Sequence, residues 1–290
     1  MNALFDFSTA SVAVLALADV ERALTEDIGA GDLTAGLIDP ARRSHARVLA
    51  REAAVICGLP WVEATLQRLD PQAELVWHVR DGQRCEANQV ILEIKGLSRA
   101  LLSAERTLLN FLQLLSAVAT QTAVYVQAAH AVPGNRASIV DTRKTLPGLR
   151  LAQKYAVRCG GGVNHRIGLY DAVLIKENHI AAAGGIHAVL QRTAEVAGRA
   201  TFVEIEVETL AQLREALEAG ARMILLDNMD LAQLREAVQI TAGRAILEVS
   251  GGVSLDTVAG IAATGVDRIS IGALTKDIKA IDFSMRFAQL

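Results

Sequence analysis

The stretch from Asp141 to His179 carries Arg143, Lys144, Arg150, Lys154, Arg158, His165, Arg166 and Lys176. The whole chain has a formal net charge of -3, so a mildly acidic protein has gathered cations into one segment. Arg presents a planar fork that matches a carboxylate or a phosphate, and Lys presents a point charge. Several of each exceed what one carboxylate needs. A small anion with two carboxylates, or with a carboxylate and phosphates, would use them. Arg143, Lys144, His165, Arg166 and Lys176 fall in loops or at the ends of apolar runs and are candidates for the pocket. Arg150, Lys154 and Arg158 recur every four residues and read as the solvated or structural face of a helix.

The acids and glycines come later in the chain. FVEIEVE carries Glu204, Glu206 and Glu208, which share one face of a strand. MILL leads to Asp227. Glu206 and Asp227 suit ribose hydroxyls or a hard divalent cation, and they equally suit structural pairing with the nearby cations. The Ser250-Gly251-Gly252 and Gly272-Ala273 turns precede helical patterns, where free backbone N–H groups can hold a phosphate. The glycines at 160–162 lack the strand–helix context of a dinucleotide fingerprint. No serine or cysteine has an evident base partner. His165, beside Arg166 in a glycine-rich loop, is either structural or a proton or hydrogen-bond group.

These residues need a frame. From about residue 135 short apolar runs alternate with amphipathic segments that close on glycine, such as LAQLREALEAG. That rhythm gives a parallel sheet. The expected form over 135–278 is a closed or nearly closed parallel β/α barrel of about six or seven strands, since the segment is shorter than the roughly 250 residues of an eight-unit barrel. In such barrels the chemistry gathers at the C-terminal strand ends, where the cations, acids and glycine turns above all fall. Before it, 1–115 reads as α+β, with strands and helices intermixed and no regular alternation, followed by a helical linker to about 134 and the break PGN. The tail 279–290 is expected to pack back on the first domain. EDIGAGDLT reads as a turn in which Asp32 accepts backbone hydrogen bonds. Arg106 sits beside Glu105 in a long apolar helix, either as a structural charge pair or pointing into a site.

The totals exclude several classes. A chain without a basic excess is a poor nucleic-acid scaffold. Cys57, Cys85 and Cys159 have no CxxC spacing, which argues against a zinc site or a disulfide framework and for the cytoplasm. The N-terminal apolar run lacks a basic n-region and reads as a helix rather than a signal peptide. No uninterrupted apolar run is long enough to span a membrane.

Taken together, DTRKTLPGLR, KYAVRCGGGVNHRIGLYDAVLIKENHI, the Glu206 strand, LDN at 226–228, EVSGGV and SIGALT resemble the quinolinate phosphoribosyltransferase family, as do EDIGAGDLT and ERTLLNFLQ nearer the start. The resemblance runs in order along nearly the whole chain and is loosest over 36–95. It implies an α/β sandwich joined to an incomplete barrel, and an enzyme that turns quinolinate and phosphoribosyl pyrophosphate into nicotinate mononucleotide, pyrophosphate and CO2 with Mg2+. It implies that Arg106, Arg143, His165, Arg166 and Lys176 surround quinolinate, with Arg106 reaching across a homodimer and Thr142 in the substrate site. Lys144 would lie between quinolinate and pyrophosphate, and Glu206 and Asp227 would serve the ribose and magnesium. Ser250, Gly251, Gly252, Ile271, Gly272 and Ala273 would hold the 5′-phosphate. A same-fold paralogue acting on another acid, or a non-catalytic anion-binding protein, are the alternatives.

Overall fold

The computed structural model describes residues 5–287. In chain order the elements are α1 (Thr9–Ile28), a 3-10 turn (Ala35–Leu37), β1 (Arg43–Ala50), β2 (Ala54–Val55), α2 (Leu59–Leu69), β3 (Glu74–Trp77), β4 (Arg84–Cys85), β5 (Val90–Leu97) and α3 (Ser98–His130). They continue as β6 (Ser138–Val140), α4 (Arg150–Cys159), β7 (Val173–Ile175), α5 (Glu177–Ala183), α6 (Ile186–Ala197), β8 (Val203–Val207), α7 (Leu210–Glu218) and β9 (Met223–Asp227). The last are α8 (Leu231–Thr241), β10 (Ile246–Ser250), α9 (Leu255–Ala262), β11 (Arg268–Ser270), α10 (Ala273–Lys276) and β12 (Phe283–Phe287). They form two compact units.

The first unit holds Phe7–Ala123, Leu146–Gly161 and the chain from Asp277 on. Its antiparallel sheet has the order β12-β1-β5-β3. Ala46, Val48 and Ala50 alternate along β1 and are buried with Val62 and Leu66 of α2 and Leu101, Leu108 and Leu112 of α3. That is one sheet face covered by helices, an α/β sandwich. β12 pairs along β1, with Met285 opposite Val48, while 288–290 at the end of the expected tail lie outside the described residues. By length and composition α3 is apolar enough to cross a membrane, yet 61% of its most apolar window is buried inside the protein. Asp32 does cap its turn: Oδ1 accepts from Thr34 N and Ala35 N, each at 2.9 Å, and Oδ2 accepts from Ser103 Oγ at 2.8 Å.

This unit also takes in α4, which a linear division at residue 135 assigns to the barrel. Tyr155 of α4 packs its ring against Trp61 and Phe7 and donates to Asp81 Oδ2 at 2.8 Å. The helix therefore has an inward face, and the solvated-face reading fails for Lys154, which is fully buried. Arg158 is exposed and lies over the Phe7 ring, 5.3 Å from its centroid.

The second unit, Val124–Thr145 and Gly162–Lys276, carries six parallel strands in the order β6-β11-β10-β9-β8-β7. Edge strands β6 and β7 do not pair with each other, so the barrel is open. Its helices start where the sequence supplies caps after strands. Thr209 accepts from Gln212 N, and Asp230 accepts from Ala232 N and Gln233 N. Ile205 and Val207 of β8 are buried, and so are Ile224 and Leu226 of β9. The alternate positions on those strands face the barrel interior, and they make the site.

Candidate active site

A cavity of about 180 Å³ opens within the barrel, lined by Asp141, Thr142, Arg143, Lys144, His165, Arg166, Leu174, Lys176, Glu206, Leu225, Glu248, Ser250 and Ser270. Period-2 alternation explains the strand contributions: 174 and 176 at β7, 206 on β8, 225 on β9, 248 and 250 on β10, 270 on β11. The cations come from the loop after β6, the loop before β7 and, for Lys176, the residue after β7. The sheet thus assembles residues more than 100 positions apart at one rim.

The cationic half is rigidly tied. Asp141 is fully buried, and its Oδ1 accepts from His165 N at 2.8 Å while Oδ2 accepts from Asn164 Nδ2 at 2.7 Å. Asp171 holds the next turn, its carboxylate accepting from Ile167 N at 2.7 Å and Gly168 N at 2.8 Å. Arg166 lies between these anchors, largely buried. Burial first, and then the neighbouring Arg143 cation, lower its pKa from the usual guanidinium value, against the opposing pull of Asp171 and Glu204. Lys176 follows β7, and its Nζ stands 3.0 Å from Glu206 Oε2.

The other half is built by glycines at close approach. A Cβ on Gly272 would stand 2.9 Å from Lys144 Cδ, so the Lys144 side chain lies over the Gly272-Ala273 turn. Thr275 Oγ1 donates to Lys144 O at 2.7 Å and ties the two loops together. Thr142 Oγ1 accepts from Lys144 N at 3.1 Å. Gly251 has φ +96°, and a Cβ there would fall 2.1 Å from Asn228 Oδ1. Asn228 Nδ2 in turn donates to Asp227 Oδ2 at 2.9 Å. Asp227 faces Ser250 in the β9–β10 register. Asp227, Gly251, Gly252, Gly272 and Ala273 stand at this rim without lining the cavity, and Ile271 is buried beneath it. Arg106 is an exposed residue of α3 in the first unit.

Sequence reasoning missed Glu248, Ser270 and Arg268. Their signal is a polar residue at an inward position of an otherwise apolar strand. Glu204 and Glu248 are both fully buried. Burial pushes Glu204 up to about 7, and burial together with the Glu204 charge also raises Glu248. With His165 they have the spacing of a metal site. However, His165 Nδ1 accepts from Arg166 N at 2.8 Å, so in the neutral ring the proton is on Nε2. A protonated Nε2 cannot ligate a cation, and the cluster is an internal hydrogen-bond network instead. Both His165 nitrogens are engaged within the protein, while the residue still lines the cavity. A second group, Cys57, Asp81 and Cys159, also has ligand spacing in the first unit. There Asp81 already accepts from Gly58 N, Leu59 N and Tyr155 Oη. Glu206 and Asp227, at inward positions of adjacent strands, are hard oxygen donors of the kind magnesium takes.

A larger cavity of about 370 Å³ lies in the first unit, where Glu26 and Asp27 of the EDIGAGDLT motif meet Thr107, Asn110 and Phe111 of the ERTLLNFLQ motif. It has only Arg22 as a cation, so the convergent charge belongs to the smaller one.

Fold and site define an α/β enzyme of anionic substrates, with its groups at the C-terminal rim of an open parallel barrel. The chain belongs to the quinolinate phosphoribosyltransferase family: residues 32–116 match the N-terminal domain of that family and 118–286 its C-terminal domain. A Bacillus subtilis protein, a probable nicotinate-nucleotide pyrophosphorylase (carboxylating), is 41% identical over 90% of this chain and 89% of its own length. The Mycobacterium leprae nicotinate-nucleotide pyrophosphorylase (carboxylating) is 42% identical over 92% of this chain and 95% of its own length. The solved Francisella tularensis nicotinate-nucleotide pyrophosphorylase superposes with a TM-score of 0.91, at 43% identity, covering 95% of this chain and 97% of that one.

Proposed function

We propose that the protein transfers the phosphoribosyl group of phosphoribosyl pyrophosphate to quinolinate with decarboxylation, yielding nicotinate mononucleotide, pyrophosphate and CO2 for NAD biosynthesis. The observation that carries this reading, beside family membership, is a cavity lined by Arg143, Arg166, Lys144 and Lys176 together with Glu206. Arg143, Arg166 and Lys176 would hold the two carboxylates. Lys144, over the Gly272 turn, would lie between the acid and the departing pyrophosphate, with Thr142 beside it. Ser250, Gly251, Gly252, Ile271, Gly272 and Ala273 would cradle the 5′-phosphate.

The chemistry asks for charge placement, not a nucleophile. Positive charge develops on the ribose as pyrophosphate leaves, and Glu206 or Asp227 would stabilise it, while Lys144 stabilises the leaving group. Glu206 and Asp227 would also hold magnesium, which when bound neutralises charge on the pyrophosphate. After transfer, carbanion character at the ring carbon that loses CO2 is absorbed by the new pyridinium nitrogen.

Arg106 is solvent-exposed beside Thr107 and Asn110, which supports its service to a second subunit in a homodimer. The three cysteines are all free, in keeping with the cytoplasm. Purified protein should consume quinolinate and phosphoribosyl pyrophosphate and release CO2 in the presence of magnesium. Turnover of nicotinate or another acid in preference would favour a paralogue. Calorimetric binding with no turnover at any magnesium level would leave only an anion-binding protein.

A further inference from the structure

Barrel interiors are ordinarily filled by branched aliphatic side chains. Here the layer beneath the cavity holds two fully buried glutamates, Glu204 and Glu248, with Arg268 Nε donating to Glu248 Oε2 at 2.7 Å. His165 stands above them, its Nε2 2.8 Å from Glu204 Oε2 and 3.5 Å from Glu248 Oε1. The opposite ring nitrogen, Nδ1, accepts the backbone N–H of Arg166 at 2.8 Å. Phe202 meets the ring edge-on, with centroids 5.1 Å apart and planes at 90°, which fixes its plane.

A neutral imidazole has one donor and one acceptor, and its partners decide which nitrogen is which. A backbone N–H on one side requires an acceptor on the other. A glutamate carboxyl oxygen is such an acceptor. If the ring carried its proton on Nδ1, two donors would face each other at Arg166. We infer that Glu204, acting through His165, is a positioning residue for Arg166, fixing the main-chain position from which its guanidinium reaches the cavity. The chain of contacts runs from a strand of the barrel, through an imidazole, to Arg166, which lies between the segments tied by Asp141 and Asp171 and lines the pocket with a fork. Glu204 touches no substrate in this assignment.

A merely structural contact in the barrel makes a different forecast, because its loss lowers stability without separating the two substrates. Glu204→Leu keeps the volume but leaves the Nε2–H without its acceptor, so it should fold yet melt several degrees below the parent. Its KM for the acid substrate should rise about tenfold or more, with the KM for phosphoribosyl pyrophosphate within about twofold. Glu204→Gln, whose amide oxygen still accepts from Nε2, should restore the acid KM to within about threefold. A folded Glu204→Leu with an unchanged acid KM, or with both KM values raised equally, overturns the proposal.

The kinetic arm rests on the cavity being the acid pocket. Nitrogen NMR of protein labelled at histidine does not. It should show His165 as the neutral Nε2–H tautomer in the parent, whatever the cavity binds and even if Glu204→Leu fails to fold. A His165 protonated on Nδ1, or on both nitrogens at neutral pH, would sink the idea independently of the substrate.

Discussion

Lys176 Nζ lies 3.0 Å from Glu206 Oε2, and the strand register dictates it. Leu174 pairs with Glu204 and Ile175 with Ile205, so the residue after β7 comes level with Glu206. The cation assigned to the acid substrate is thus in contact with the carboxylate assigned to the ribose. An incoming acid and Glu206 compete for one ammonium.

Glu206→Gln should therefore tighten ground-state binding of quinolinate, by about two- to fivefold, while lowering kcat by about a hundredfold through lost charge stabilisation. Calorimetry gives the first and steady-state kinetics the second. Because Lys176 is half-exposed, a double-mutant cycle with Lys176→Met should give a stability coupling of no more than about 1 kcal/mol. Weaker binding of the acid to Glu206→Gln would show that the two groups do not compete.

Arg166→Ala should weaken quinolinate about a hundredfold, corresponding to about 3 kcal/mol for a partly buried charge-assisted contact. Phosphoribosyl pyrophosphate should be affected by less than about threefold. Separate KM values for the two substrates check this, and equal losses would remove Arg166 from the acid.

Gly251→Ala places a Cβ 2.1 Å from Asn228 Oδ1 at a φ of +96°. Asn228 must move, and with it the hydrogen bond to Asp227. The expected cost is about 2 kcal/mol or more in stability, with a raised KM for phosphoribosyl pyrophosphate. Gly252→Ala has open space at φ +60° and should cost only about 1 kcal/mol. Thermal melts of the two variants order them, and a reversed order would refute the close-approach explanation.

Burial holds Glu204 at about 7, above the ordinary 4.5 of a glutamate. The folded state then keeps a proton that the unfolded chain has released, so stability falls as pH rises through the window from about 4.5 to about 7. The shift corresponds to about 3 kcal/mol. Glu204→Gln, which has no proton to lose, should show a shallower fall over that window in urea denaturation. Parallel curves for parent and variant would mean that Glu204 is ionised throughout.

Mixing Arg106→Ala protein with Lys144→Ala protein tests the shared site. Each heterodimer would contain one intact site, so random exchange should recover about a quarter of parental activity. No recovery, with subunit exchange shown by mass, would keep Arg106 out of the neighbouring site.

Local physics made much of this legible in one dimension. Alternation of short apolar runs with glycine-capped amphipathic segments sufficed for a parallel sheet, because period and caps are local properties. The charge types of Arg143, Lys144, Arg166 and Lys176 pointed to a polyanion because they fall at strand ends, where a β/α fold gathers its chemistry. Tertiary structure decided what depends on register and depth. Lys154 shares a helical spacing with Arg158, yet one is buried and the other exposed, since the helix has a partner on one face only. Glu248 and Glu204 are distant in sequence, and only strand order β10-β9-β8 brings both beneath His165. The tautomer of that histidine, and hence its role as a bridge, depends on which donor and which acceptor the fold sets against its two nitrogens.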